Sequence, residues 1–332
     1  MLTEKTLLDL NLSLRNTARA DAKAVADLIY AVCEADGDTT VATSVEELEN
    51  QWSSEKFNPE TDSHVIETSD GRVIAYGEFY NYNQHVDLGA DLYVHPEYKG
   101  RGLFAPILAW IDARAHEEMK LAQSDLRVYI RSTMDGKDAE ARLAHEVAGY
   151  NTVRYAWRME INLKEEPSTP FFPAGIELRP FDKDTHAHLL LEAENDAFSE
   201  HWGSHASEFA EWAHRKLENP DFDPTLWLIA WDGDQIAGFS QNRFRMGVGW
   251  VSTLGVRKPW RKSGLGLALL QHSFGEFYRR GMKTIGLGVD ASNKTGATRL
   301  YQRAGMHIAS EFVTFEKEIR PGRDLEEEKQ RK

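Results

Sequence analysis

Cysteine is nearly absent: Cys33 is the only one in 332 residues. A disulfide within the chain is therefore excluded, and so is a metal site built from thiolates. Proline is sparse, at 11 residues, and three of these fall in one short stretch, residues 164–175. No run approaches the roughly 18 consecutive apolar residues that cross a bilayer, so no membrane span is expected. Positive charge is in deficit, with 39 Lys and Arg against 53 Asp and Glu, a net charge of −14. Such a balance argues against nucleic acid as a partner, since phosphate binding needs a basic surface. It favours cationic substrates through steering. The start, MLTEKTLLDLNLSLRN, lacks a basic segment leading into an apolar core. A secretory signal is not expected there, and a cytoplasmic location is the default.

What is present is a folded composition, 41% hydrophobic and 28% charged, arranged as an internal repeat. Near Leu14 and again near Ile176 the chain opens with a short strand and an amphipathic helix. A hairpin signal follows in each copy, turning at Ser69-Asp70-Gly71 and at Asp232-Gly233-Asp234. Next comes a strand, a basic glycine-containing turn and a helix. A strand, a helix and a last strand close each copy. The expected organisation is α+β: a first domain over 1–163, a linker over 164–175, a second domain over 176–320 and a charged, frayed tail over 321–332. Each domain is expected to hold a mixed, mostly antiparallel sheet flanked by helices.

The turn of the second copy reads WRKSGLGLALL, residues 260–270. Leu270, Phe274, Phe277 and Tyr278 share one face of a helix that begins near Gly264. Its first amides have no partners inside the helix and carry partial positive charge. With Arg261 and Lys262 just upstream, the turn is suited to an anion. The order of residues is wrong for a P-loop, which ends glycine-lysine-serine/threonine, and Leu269 stands where a dinucleotide fingerprint needs its third glycine.

The order Arg261-x-x-Gly264-x-Gly266, after a strand and opening a helix, resembles the acyl-CoA pyrophosphate loop of the GNAT superfamily of N-acetyltransferases. The stretch VDASNKTGATRLYQRAGM, residues 289–306, is similar to that family's second hallmark. The resemblance implies two tandem GNAT-like domains, an organisation that mycothiol synthase also has. It implies that Arg261, Lys262, Ser263, Gly264, Leu265 and Gly266 hold the pyrophosphate of acetyl-CoA. The backbone of Leu254, Gly255 and Val256 would take the pantetheine arm, with a strand amide near Val256 serving the oxyanion. Tyr301 would protonate the departing thiolate. Asn293 either caps the last helix or contacts the cofactor. Glu200 and His201 fall where the family shapes its acceptor site. No residue stands out as the base; Glu194, His205 and Asp290 are the other titratable groups nearby.

In the first copy the same loop reads Lys99-Gly100-Arg101-Gly102-Leu103-Phe104. Phe104 stands in the slot of Gly266, Pro106 follows, Lys137 replaces Asn293 and His145 replaces Tyr301. These departures imply a degenerate acetyl-CoA site in the first copy. The expected activity is transfer of an acetyl group to a primary amine of a small molecule, without a metal, by a monomer or homodimer. A non-catalytic acyl-CoA-binding protein and a peptide N-terminal acetyltransferase are the other readings.

Overall fold

A computed structural model describes residues 7, 10–202, 204–293 and 295–325. The chain forms two compact units, one from Met1–Tyr155 with Glu311–Lys332, the other Ala156–Ser310.

In the first unit β1 (Leu12–Asn16) leads into α1 (Ala22–Asp36) and α2 (Val45–Trp52). A capping box starts α2: the Ser44 Oγ accepts from the Glu47 amide at 3.1 Å, and the Ser44 amide donates to the Glu47 carboxylate. The hairpin of β2 (Ser63–Thr68) and β3 (Val73–Asn83) turns where the sequence signals it, with Gly71 at a φ of 85°. β4 (Asp87–Val94), α3 (Phe104–Met119), β5 (Val128–Asp135) and α4 (Ala139–Val147) complete the run. The sheet order is β1-β2-β3-β4-β5, with only β4 and β5 parallel. Ile107 and Ile111 of α3 are fully buried, which contributes about 1.5–3 kcal/mol each. Gly77 on β3 makes room for them, because a Cβ there would lie 2.2 Å from Ile107.

The second unit repeats the plan. Its elements are β7 (Ile176–Pro180), α5 (Lys183–Phe198), α6 (Phe209–Leu217), β8 (Leu228–Asp232), β9 (Gln235–Arg245), β10 (Val248–Val256), α7 (Leu265–Arg279), β11 (Thr284–Asp290) and α8 (Ala297–Arg303). The sheet order is β7-β8-β9-β10-β11, with β10 and β11 parallel. Residues 164–172 carry neither helix nor strand.

The closing strands differ from the sequence expectation. Residues 156–162 of β6 (Asn151–Asn162), from the end of the first copy, pair antiparallel with β11 in the second unit. Residues 312–320 of β12 (His307–Arg320), from the end of the second copy, pair with β5 in the first. Each copy thus closes the other's sheet. Hydrophobic alternation reads a strand's faces but not which edge it joins, so the exchange is invisible to pattern alone. The tail differs as well. The Arg323 amide donates to Asp125 O at 2.8 Å and its guanidinium pairs with the Asp125 carboxylate at 2.9 Å, so this part of the tail is docked. Residues 326–332 lie outside the described residues.

Two acids meet on the first sheet. Glu78 of β3 faces Asp91 of β4 across the ladder. The Tyr76 hydroxyl donates to Glu78 at 2.8 Å and the Gln51 amide at 3.1 Å. Desolvation, then the charge of Asp91, pushes the Glu78 pKa up to about 7. A carboxylate whose folded pKa lies above its unfolded value holds more protons in the native state, so stability falls as pH rises through that window. We expect the unfolding midpoint to drop between about pH 4.5 and pH 7, and Glu78→Gln to flatten that slope in urea titrations. An unchanged slope in the variant would locate the titration elsewhere.

Candidate active site

The second unit's parallel strands part company. β10 stays paired with β9 as far as Val256, but its register with β11 covers only Gly249 and Trp250. A register shift between Val251 and Thr253 bends the strand at this point. Leu254, Gly255 and Val256 therefore have no β11 partner among the described residues, and backbone donors and acceptors face the wedge between the strands. Gly255 is required by its cross-strand neighbour, because a Cβ would lie 2.3 Å from the Phe239 ring.

The basic loop lies beyond the end of β10. Lys262 and Gly264 are both left-handed, at φ 65° and 95°. For the lysine this conformation costs about 1 kcal/mol or more. α7 starts at Leu265, and its first backbone bond runs from Ala268 N–H to Gly264 O at 3.1 Å. Gly264 has no side chain to cap with, and Ser263 Oγ donates to Trp260 O at 2.7 Å and accepts from the Leu265 amide at 3.4 Å. The amides of Gly266 and Leu267 have no partner among the described residues, which leaves an electropositive helix end. A Cβ on Gly266 would lie 3.2 Å from Leu300 and 3.5 Å from Val256, so this glycine lets α7 approach both α8 and β10.

Arg261 fastens the loop. Its guanidinium donates to Ala197 O at 2.9 Å and Val256 O at 3.1 Å, and reaches the Glu200 carboxylate at 3.4 Å. Glu200 also pairs with Lys258 at 3.0 Å. The structure thus brings Glu200 to the loop's cations. The His201 ring packs 4.8 Å from Phe198 at the end of α5. Asn293 does not cap α8. Its side chain accepts from the Thr295 amide at 2.8 Å, and the cap position is taken by Gly296, at φ 84°. The turn runs three residues further than the sequence suggests, which puts Asn293 too far upstream for a helix amide.

Tyr301 lies on α8, 8% exposed, packed in the cluster that includes Leu270, Phe274, Val289 and Met306. Its hydroxyl has no hydrogen-bond partner among the described residues. Desolvation pushes its pKa up to about 12, so it is protonated at neutral pH. Leu300, its neighbour, is the side chain that touches Gly266, so the tyrosine's helix abuts the first turn of α7.

The sequence reading missed Lys216. On α6, it reaches the sheet and donates to Gln241 Oε1 at 2.9 Å and Thr253 Oγ1 at 2.7 Å. Glu194 accepts from Gln241 at 2.8 Å and from Trp212 Nε1 at 3.0 Å. Desolvation lowers the Lys216 pKa to about 8. The only sequence signal for this group was a lysine in the buried register of an amphipathic helix.

The first unit builds the same frame and closes it. β4 pairs with β5 from Asp87 to Ala90 and then parts from it. Here the loop is already matched by acids. The Gly100 amide donates to the Glu140 carboxylate at 2.7 Å, and Lys99 pairs with Asp138 at 2.9 Å and Asp36 at 3.4 Å. Phe104 is buried where the other unit has Gly266. Counting back from the Ala-Gly turns, Glu140 corresponds to Gly296, so the second unit carries no such carboxylate. Among the described residues, no group of three or more His, Cys, Asp or Glu could hold a metal ion.

Parallel strands that part beside an electropositive helix end make a site that suits an extended anionic ligand. The chain belongs to the acetyltransferase (GNAT) family, whose model matches residues 29–128 and 187–306. It is an acyltransferase of tandem organisation. It is 28% identical over 296 residues to a mycothiol acetyltransferase of Geodermatophilus obscurus, covering 86% of this chain and 91% of the relative. A mycothiol acetyltransferase of Thermobispora bispora is 32% identical over 225 residues, 65% of this chain and 71% of that one. Among solved structures, a GCN5-related N-acetyltransferase from Sphaerobacter thermophilus is 36% identical, with a TM-score of 0.79 over 95% of this chain and 98% of that one. A tandem GNAT protein from the clavulanic acid biosynthesis pathway shares the fold, with a TM-score of 0.71 at 15% identity over 94% of this chain and 100% of that one.

Lys216 offers a test of its environment. A lysine whose folded pKa lies below its unfolded value holds fewer protons in the native state, so stability rises with pH across the interval. We expect the wild type to gain stability between about pH 8 and pH 10, and Lys216→Met to show a flatter profile by urea denaturation. Parallel profiles would mean that the ammonium is solvated.

Proposed function

We propose that the chain transfers the acetyl group of acetyl-CoA to a primary amine of a small molecule, with the chemistry in the second unit. One observation carries this reading: the loop amides of the second unit are open, whereas Glu140 occupies the equivalent loop of the first. The residues fit the acyl carrier. The Gly266 and Leu267 amides and the end of the α7 dipole suit its diphosphate, and Lys262 adds charge. The edge of Leu254, Gly255 and Val256 offers ladder bonds to the amides of the pantetheine arm, as an added strand would.

Transfer forms a C–N bond and breaks the C–S bond. The amine must arrive neutral, and its nitrogen loses a proton as the tetrahedral intermediate collapses. A backbone amide near Val256 stabilises the oxyanion. Tyr301 gives its proton to the departing thiolate, and its apolar setting keeps that proton in place until the sulfur becomes basic. Much of the acceleration comes from holding thioester and nitrogen in line. The acidic surface draws a cationic acceptor toward the protein. The relatives' name, mycothiol acetyltransferase, supports a small-molecule acceptor.

Two substitutions test the roles. Tyr301→Phe should lower kcat about 10²-fold or more, the scale of general acid catalysis, with little change in acetyl-CoA affinity; unchanged turnover removes Tyr301 from the mechanism. Gly266→Val should weaken acetyl-CoA binding at least about tenfold, equivalent to about 1.4 kcal/mol, whereas Lys99→Ala should leave it intact in calorimetric titration. The reverse pattern would move the working loop to the first unit. Acetyl-CoA binding without CoA release by any amine in a panel would favour a non-catalytic acyl-CoA-binding protein.

A further inference from the structure

The acceptor nitrogen must lose a proton, and Tyr301, a donor, cannot receive it. The two faces of the second sheet differ at the Leu254–Val256 edge. Leu254 and Val256 turn toward α7, where they pack with Leu265 and Leu269. Alternation sends Thr253 and Gly255 to the other face. That face is covered by α5 and α6: Gly255 abuts the Phe239 ring, whose cluster includes Ala193 and Ala197 of α5 and Trp212 and Leu217 of α6. Lys216 reaches this face and bonds to Thr253 and Gln241, which are opposite each other on β10 and β9. With the carrier's diphosphate at α7 and its arm along Val256, Gly255 and Leu254, the thioester end points back toward Thr253. The acyl carrier thus comes from one face, and a polar group stands on the other.

Lys216 is held in a way that fits two protonation states. Its hydrogen bonds go to neutral oxygens, Gln241 Oε1 at 2.9 Å and Thr253 Oγ1 at 2.7 Å. Gln241 is fixed in that orientation because its Nε2 donates to Glu194 at 2.8 Å. An ammonium has three N–H donors, and an amine has two and a lone pair. Loss of a proton therefore leaves both bonds intact and turns the third N–H into a lone pair. Glu194 faces the lysine from α5, with Oε1 at 3.9 Å, beyond hydrogen-bond distance, and Oε2 taken by Gln241 and Trp212. Burial lowers the lysine's pKa to about 8; Glu194 pulls it up, and Arg215 on α6 and Arg243 on β9 push it down. The side chain is still 17% exposed, so it can exchange protons with solvent.

We infer that Lys216 is the general base of the second unit, its neutral amine taking the proton of the acceptor nitrogen directly or through one water. The inference rests on acetyl transfer taking place in that unit. As the C–N bond forms, one proton passes from the acceptor nitrogen to Nζ. As the C–S bond breaks, the thiolate takes the Tyr301 proton. Water then removes a proton from the Lys216 ammonium and returns one to the tyrosinate, so the net transfer is one proton from amine to thiol. An arginine in this position keeps the charge and the donors but offers no lone pair.

Two measurements on the full chain test it. The first is an NMR titration with 13C at lysine Cε, in which Lys216 is the signal that Lys216→Arg lacks; we expect it to titrate near pH 8, well below the other lysines. The second follows CoA release from acetyl-CoA with hydroxylamine, an acceptor that is neutral from pH 7 to pH 9 and so keeps its own ionisation out of the profile. We expect kcat/KM to rise about tenfold over that range in the wild type. In Lys216→Arg it should be flat and about 10²-fold lower at pH 9, with acetyl-CoA affinity unchanged by calorimetry. Thermal melts check that the variant is folded, and Lys216→Met carries the same expectation if it is not. A tenfold rise that persists in the folded variants, a Lys216 signal that titrates with the other lysines, or acetylation of Lys216 itself in peptide mass spectra would each overturn the assignment. If Gly266→Val abolishes CoA release while Lys216→Arg keeps the wild-type profile, this inference alone fails; if Gly266→Val leaves release unchanged, the placement in the second unit fails and the inference with it.

Discussion

The structure turns on a backbone donor that has no internal acceptor. A helix that starts at a glycine leaves its first amides open, and a buried or sheltered N–H must find an acceptor or pay for its absence. Both copies start a helix just past a left-handed glycine, Gly102 or Gly264, where two parallel strands diverge. In the first copy Glu140 accepts from the Gly100 amide in the loop ahead of the helix, and the Ala105 amide donates to Gly102 O at 3.3 Å. In the second the corresponding residue is Gly296, and the amides of Gly266 and Leu267 face outward. The first loop therefore meets a carboxylate of its own unit, and the corresponding position of the second is a glycine.

The same opposition recurs on the other side of each sheet. Glu78 and Asp91 are opposite each other on β3 and β4, while Gln241 and Thr253 hold the matching pair of positions on β9 and β10. In the second unit the Lys216 ammonium bonds to both Gln241 and Thr253. In the first, two acids share the space with tyrosine hydroxyls, and Glu78 is held partly protonated near neutrality. One copy has internalised a cation there and the other a proton. The two units share one order of elements, and the difference here comes down to a few side chains at matching positions.

Much of this was legible in the sequence. The duplicated order of elements, the hairpin turns at Gly71 and Gly233, and the start of α7 beside Gly264 all follow from local pattern and turn chemistry. Phe104 against Gly266 already separated the copies, and the structure adds the reason: the ring fills volume that the glycine leaves for Leu300 and Val256. Less legible were contacts between residues far apart in the chain. That the Arg261 guanidinium ties Ala197 to Val256 is one such contact. Asn293 reads as a cap, but the turn extends to Gly296 before the helix begins.

The sequence by itself determined the class of fold, the repeat, the basic glycine turn and the tyrosine on the last helix. These depend on periodicity, on glycine's left-handed conformation and on residue spacing, all of which are local. Tertiary structure alone decided that each copy's closing strand completes the other's sheet, because strand pairing is a choice among edges with similar hydrophobic faces. It also decided that Glu140 reaches the first unit's loop and that Lys216 lies between Gln241 and Thr253. Charge and hydrogen-bond partners are set by proximity in space, and a linear pattern of residue types does not encode which side chains meet.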